Sequence, residues 1–185
     1  MGTPSPIEHI IVLMLENHAF DKMLGFLKKG EGLKGDEFNL VDPLNPNSER
    51  VHVTDTAENV TSPDPMHTLH DTNIELFGPD GTVQTKNLNN GFVFDYVRRA
   101  GGDVETGKKI MQSYAPASLP ALSALANEFC LCDHWFASVP GPTFPNRFYA
   151  HAATSDGQAV NNKTHDYNMT TIYNNLEDHK HTWGI

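Results

Sequence analysis

The sequence predicts an α/β fold built on a mostly parallel sheet, and three observations carry that prediction. Ile10 to Leu15 is an unbroken apolar run, the pattern of a strand buried on both faces. Phe129 to Trp135 is a second candidate of the same kind. Between and after them lie segments whose apolar residues recur at helical spacing. Helices alternating with buried strands define the class.

Composition bounds the rest. The 185 residues suffice for one domain with a real core, or for part of a larger one. With a net charge of −10, no broad face would neutralise phosphates, so nucleic acid is excluded as a partner. No apolar run approaches the roughly 20 residues that cross a bilayer. Met1 to Pro6 carries no basic segment before the apolar run, so it does not read as a signal peptide. The sequence leaves the compartment open between cytoplasmic and secreted with a leader removed. Cys130 and Cys132 are too close in sequence for an ordinary bridge, and at least one is expected in the core.

In chain order, the first apolar run stops at Glu16-Asn17, where the helical series Phe20, Met23, Leu24 and Leu27 begins. Ligands of open α/β sheets bind at this carboxyl edge. Two oxygen-bearing side chains there suit a hard cation. Equally, Asn17 can cap the helix while Glu16 favours its positive end. Residues 31–65 form a polar excursion with one alternating stretch at Val51-His52-Val53, the mark of a hairpin. A helix runs from Thr68, its cap, to Phe77 and ends in Gly78-Pro79-Asp80-Gly81. Phe92, Val93, Tyr96 and Val97 share one face of the next, stopped by Gly101-Gly102. Helices follow over 104–113 and 119–128, the latter with Leu119, Leu122 and Leu125 on its apolar face.

After the second apolar run, three prolines fix the backbone around one hydroxyl, Thr143, in Pro140-Gly141-Pro142-Thr143-Phe144-Pro145. Pro145 suits a first helical position, which sets Thr143 near a helix N-terminus that favours an anion such as phosphate. Arg147 follows one turn later, free to clamp phosphate or to form a packing ion pair. His151, on the same face, is read as packing. A last helix spans 170–177, and residues 181–185 begin to look like a strand. A chain that stops there is expected to be the N-terminal portion of a longer domain.

Two motifs then meet. Glu16-Asn17-His18-Ala19-Phe20-Asp21 resembles the Glu-Asn-Arg-Ser-Phe-Asp signature of the phosphoesterase superfamily of non-specific phospholipases C and acid phosphatases. Thr143-Phe144-Pro145-Asn146-Arg147 is similar to its Thr-Gln-Pro-Asn-Arg nucleophile motif, and Asp64-Pro65-Met66-His67 to its Asp-Pro-Gly-His element. The flanks from Asn127 to Pro140 and from Tyr149 to Ser155 agree as well, in the same order. His18 and Ala19 depart from the pattern beside the first motif, and Asp21 is read as steadying the helix start.

The resemblance implies an alkaline-phosphatase-like sandwich, with residues 1–185 the N-terminal part of a single catalytic domain, incomplete at its C-terminus. It implies Thr143 as nucleophile and His67 as proton donor or phosphate hydrogen-bonding group. Arg147 and Asn146 would lie at the substrate, and Glu16, Asn17 and Thr143 on a divalent metal ion (Mg, Ca, Mn or Zn). The expected substrate is a phospholipid or a small phosphate ester, with peripheral membrane contact left open. The alternatives are an acid phosphatase acting on soluble phosphomonoesters and a non-catalytic module with at most phosphate or metal binding. The family's further metal-binding acids and histidines come later in the chain, and nothing after Ser155 matches them.

Overall fold

A computed structural model describes residues 7–16, 18–57 and 60–185. Its helices are α1 (Phe20–Leu24), α2 (Leu69–Phe77), α3 (Phe92–Arg99), α4 (Val104–Lys108), α5 (Pro120–Glu128), α6 (Thr143–Ala152) and α7 (Ile172–Asp178). Among the described residues the only sheet is a hairpin, β1 (Phe38–Leu40) against β2 (Arg50–His52), antiparallel with Asn39 opposite Val51. The alternation at Val51-His52-Val53 thus marks a real strand. No helix of the described residues is long and apolar enough to cross a membrane.

The core lies where α2, α3 and α4 meet over the hairpin. Val93 is 0% exposed and Tyr96 1%, and Ile74 and Phe77 of α2 close over them. The sequence builds these helices locally. Thr68 and Asp71 form a reciprocal capping box that satisfies the first donors of α2. Gly91, at the cap position of α3, has no side chain to offer, so the buried Asn39 of β1 accepts from the Phe92 N–H (2.9 Å) and donates to the Asn89 carbonyl (2.9 Å). Gly101 and Gly102, both at positive φ, stop α3 as expected.

Gly91 is also where α2 and α3 touch. A Cβ there would lie 1.9 Å from the Ile74 carbonyl oxygen, a backbone atom that cannot swing aside. Gly91→Ala is therefore expected to lose about 3 kcal/mol of stability. Gly184→Ala, at a site open on all sides, should change it by less than about 0.5 kcal/mol. Equilibrium denaturation checks both.

The structure corrects the sequence reading at both apolar runs. Residues 10–15 form no strand, and Ile11 is 91% exposed. Residues 129–135 likewise form no strand, and Trp135 is 86% exposed. A strand exists only against a neighbour that takes its N–H and C=O groups, and no described segment offers one. The mostly parallel sheet is accordingly not formed among the described residues. Cys130 and Cys132 share this fate and are free and exposed, not in the core. Residues 181–185 form no strand; Trp183 instead stacks on Tyr173 of α7, ring centroids 4.5 Å apart. The leucine face of α5 is only half right, since Ser123 and Ala126 are its buried residues and Leu125 is exposed.

Candidate active site

Three elements converge near the start of α6. The helix begins at Thr143, with Pro142 as its cap residue. Pro145 is therefore the third helical residue, not the first, a position whose missing N–H still costs nothing because first-turn donors lack helical partners. The preceding loop is held from within. The Asn146 side chain accepts from the Val139 N–H (3.0 Å) and donates to the carbonyls of Val139, Gly141 and Pro142 (3.0–3.2 Å). Its amide is thus turned into the loop that presents Thr143. No hydrogen bond engages the Thr143 hydroxyl among the described residues. The Phe144 N–H donates to Asn161 (2.8 Å), so the N-terminus of α6 offers an anion fewer donors than its position alone suggests.

Glu16 meets this helix from 131 residues away. Arg147 donates to it through Nε (2.9 Å to Oε2) and through Nη2 to Oε1, a two-pronged pair. The Arg147 hydrogen bonds hold the Glu16 carboxyl below the usual carboxylate range, and Glu16 in turn raises Arg147. Both side chains are partly exposed, so water and salt screen the pair. Asn17 lies outside the described residues.

The element around His67 arrives by a different route. Tyr96 and Arg99 of α3 donate to the carbonyls of Pro63 (2.5 Å) and Asp64 (2.8 Å), fixing the strand-like approach to α2. The first turn of α2 then packs on the Thr143 loop, since a Cβ on Gly141 would lie 3.5 Å from the Leu69 nitrogen. His67, just before that turn, is exposed. Its Nδ1 is 3.0 Å from the Pro65 carbonyl, which can only accept, so Nδ1 carries a hydrogen and Nε2 is the nitrogen left for proton transfer.

The second apolar run is anchored to the segment that follows α1. Lys29, past α1, donates to the carbonyls of Ala126, Asn127 and Phe129, and the Glu31 N–H donates to Asp133 (2.7 Å). His18 sits edge-on to Tyr114. His151 meets the Tyr173 hydroxyl (2.9 Å), joining α6 to α7, which is the packing role expected of it.

As a cation site these residues fit in chemistry but not in number. Glu16 and Thr143 are oxygen donors of the kind hard cations prefer. No group of three His, Cys, Asp or Glu side chains able to hold a metal occurs among the described residues.

The sequence reading missed a buried carboxylate group. Asp71 and Glu75, one turn apart on α2, face Asp95 of α3. Burial, and then the charges of Asp95 and Asp71, push Glu75 up to about 8. The i, i+4 spacing of Asp71 and Glu75 was legible, but the face they share was not. The Asp156–His165 pair (2.7 Å), beside the aromatic row Phe144, Phe148 and Tyr167, was likewise unforeseen.

Comparison with known proteins agrees with this clustering of motifs. The chain is 37% identical over 97% of its length to non-specific phospholipase C1 of Arabidopsis thaliana, covering 34% of that protein. It is 35% identical over its whole length to non-specific phospholipase C3 of the same plant, covering 37% of it. A non-hemolytic phospholipase C of Pseudomonas aeruginosa is 26% identical over the whole chain, which covers 27% of that relative. The chain thus spans about a third of the length of the curated relatives it matches. The phosphoesterase family model matches residues 7–185, taking in Glu16, His67 and Thr143 with Arg147 together, and the chain belongs to that family.

Proposed function

We propose that this chain carries the nucleophile of a hydrolase for phosphate ester bonds, acting on phospholipids in the manner of a phospholipase C. The observation that supports it most is the meeting of Glu16 with the Thr143–Arg147 turn across 131 residues of sequence. Two motifs of one family would have no reason to converge in an unrelated binding module.

In this reading the Thr143 oxygen attacks phosphorus as its proton passes to solvent water, and the ester bond to the glycerol oxygen breaks. His67, protonated at Nε2, gives that oxygen its proton and diacylglycerol leaves. The phosphorylated head group stays on Thr143 until water attacks the same phosphorus, restoring the hydroxyl and freeing the head group. Asn146 keeps the loop in place so that the hydroxyl is aimed before substrate arrives, and Arg147 balances charge on the phosphoryl oxygens. Glu16, Asn17 and Thr143 are the residues that would hold a divalent cation, which supplies, when bound, charge neutralisation and a more acidic hydroxyl.

Hydrolysis of p-nitrophenyl phosphorylcholine and p-nitrophenyl phosphate, each with and without chelator, tests this. Turnover of the diester in excess of the monoester, lost on chelation, is the expected result. A preference for the monoester supports an acid phosphatase instead. The thin donor set favours one further reading, a non-catalytic phosphate- or metal-binding module. A folded sample that turns over neither ester supports that one.

A further inference from the structure

A cleft of about 70 Å³ opens between α1, the segment that leads to His67 and the turn after α4. Its walls are Lys22, Val60, Thr61, Ser62, Lys109 and Gln112, and neither Thr143 nor Arg147 lines it. The lining is one-sided. Two ammonium groups, two hydroxyls and a carboxamide face one space that no described carboxylate lines, in a chain whose net charge is −10. The side chains of Thr61, Ser62, Lys109 and Gln112 hydrogen-bond to no described residue. Lys22 is half-buried; its Nζ donates to the Gln112 carbonyl (2.7 Å) and lies 5.6 Å from the centroid of the Tyr114 ring. Burial pushes this ammonium below the usual lysine range, and no carboxylate acts to raise it. A charge taken out of water without a counter-charge costs stability until an anion joins it. The charge of Lys109 reaches Asp103, but that carboxylate accepts from the Thr106 hydroxyl and the Glu105 N–H instead.

We propose that this cleft binds a phosphate-type oxyanion, held by the ammonium groups of Lys22 and Lys109 and by the hydroxyls of Thr61 and Ser62. Two ammonium groups exclude a cation, and Val60 is the one apolar wall, which excludes an acyl chain. Donors from three separate segments can address more than the two oxygens of a carboxylate, and lysines serve a tetrahedral anion as point charges. The anion is either phosphate free in solution or the phosphate monoester of an anionic lipid head group; the recognising chemistry is the same. The site stands whether or not Thr143 is a nucleophile, because it shares no residue with the Thr143 loop.

The test is calorimetric titration of inorganic phosphate, at constant ionic strength, into wild type, Lys22→Gln, Lys109→Gln and Arg147→Ala. Circular dichroism checks that each variant is folded. Lys109 is exposed, so Lys109→Gln keeps the test open should Lys22→Gln unfold. Phosphate affinity is expected to fall roughly tenfold in each lysine variant and to persist in Arg147→Ala. Phosphate should also raise the melting temperature of wild type by more than that of Lys109→Gln. Flotation with phosphatidylcholine vesicles, with and without phosphatidic acid, separates the two sources. Binding to the phosphatidic acid vesicles that Lys109→Gln loses assigns the site to lipid head groups. Lysine-dependent phosphate binding without vesicle binding assigns it to free phosphate. Equal phosphate affinity in wild type and the lysine variants overturns the site, as does a folded wild type that binds neither phosphate nor phosphatidic acid. Binding lost in Arg147→Ala and kept in the lysine variants also overturns it, and places the phosphate at the Thr143 turn.

Discussion

Thr143→Ala is expected to remove phosphate ester turnover by at least about 10⁴-fold while leaving the chain folded. The size of the effect follows from the step it deletes. On the proposed mechanism no covalent intermediate forms without the hydroxyl, and water must attack a phosphoryl group that the site holds for another nucleophile. The fold should not notice, because the hydroxyl engages no other described group and the loop is fastened by Asn146. Thr143→Ser, which keeps the oxygen, should retain measurable activity. Initial rates on p-nitrophenyl phosphorylcholine, with a thermal melt of each variant, separate a chemical role from a structural one. Comparable losses in the serine and alanine variants would assign Thr143 to packing.

The largest expected effect on stability comes from Glu75. Its carboxyl sits between α2 and α3, raised from 4.5 to about 8 by burial first and then by Asp95 and Asp71. The Arg98 guanidinium acts on Asp95, to which it is bound at 2.8 Å. Below pH 4.5 the carboxyl is protonated in both the folded and the unfolded chain, and no penalty arises. Between 4.5 and 8 the folded state keeps a proton that the unfolded state has released, so stability falls as pH rises. Above 8 the full penalty is present, roughly 3–5 kcal/mol. Glu75→Gln removes the charge and keeps the shape. Its melting temperature should exceed that of wild type by about 8 °C at pH 9 and by less than about 2 °C at pH 5. An equal difference at both pH values would mean that titration of Glu75 is not the cause.

Local elements were legible because local residues make them. The capping box of α2, the stop of α3 at paired glycines and the hairpin strand at Val51 each depend on neighbours a few residues away. The site motifs were legible as a resemblance to one family, which the family match over residues 7–185 bears out, and the structure brings Glu16 to Arg147 and the approach to α2 onto the Thr143 loop.

What failed is the non-local part. Residues 10–15 and 129–135 have the composition of central strands, but a strand needs a partner that composition cannot supply. In this chain they carry no regular structure and are mostly exposed, the second tied down by Lys29 and Asp133 without a neighbour strand. Cys130 and Cys132 were misread with the strand that was to bury them. The carboxylates of Asp71, Glu75 and Asp95 were missed because their proximity is set by how closely α2 and α3 approach. That approach turns on Gly91, whose role is invisible until the Ile74 carbonyl is seen against it.

The most direct measurement is the mass of the peptide bearing Thr143, after the chain is mixed with p-nitrophenyl phosphorylcholine and quenched in acid within the first turnover. A nucleophilic Thr143 predicts a phosphorylcholine adduct on that residue, formed at the rate of p-nitrophenol release and absent from Thr143→Ala. Turnover that proceeds with no adduct, or with one on another residue, would contradict it.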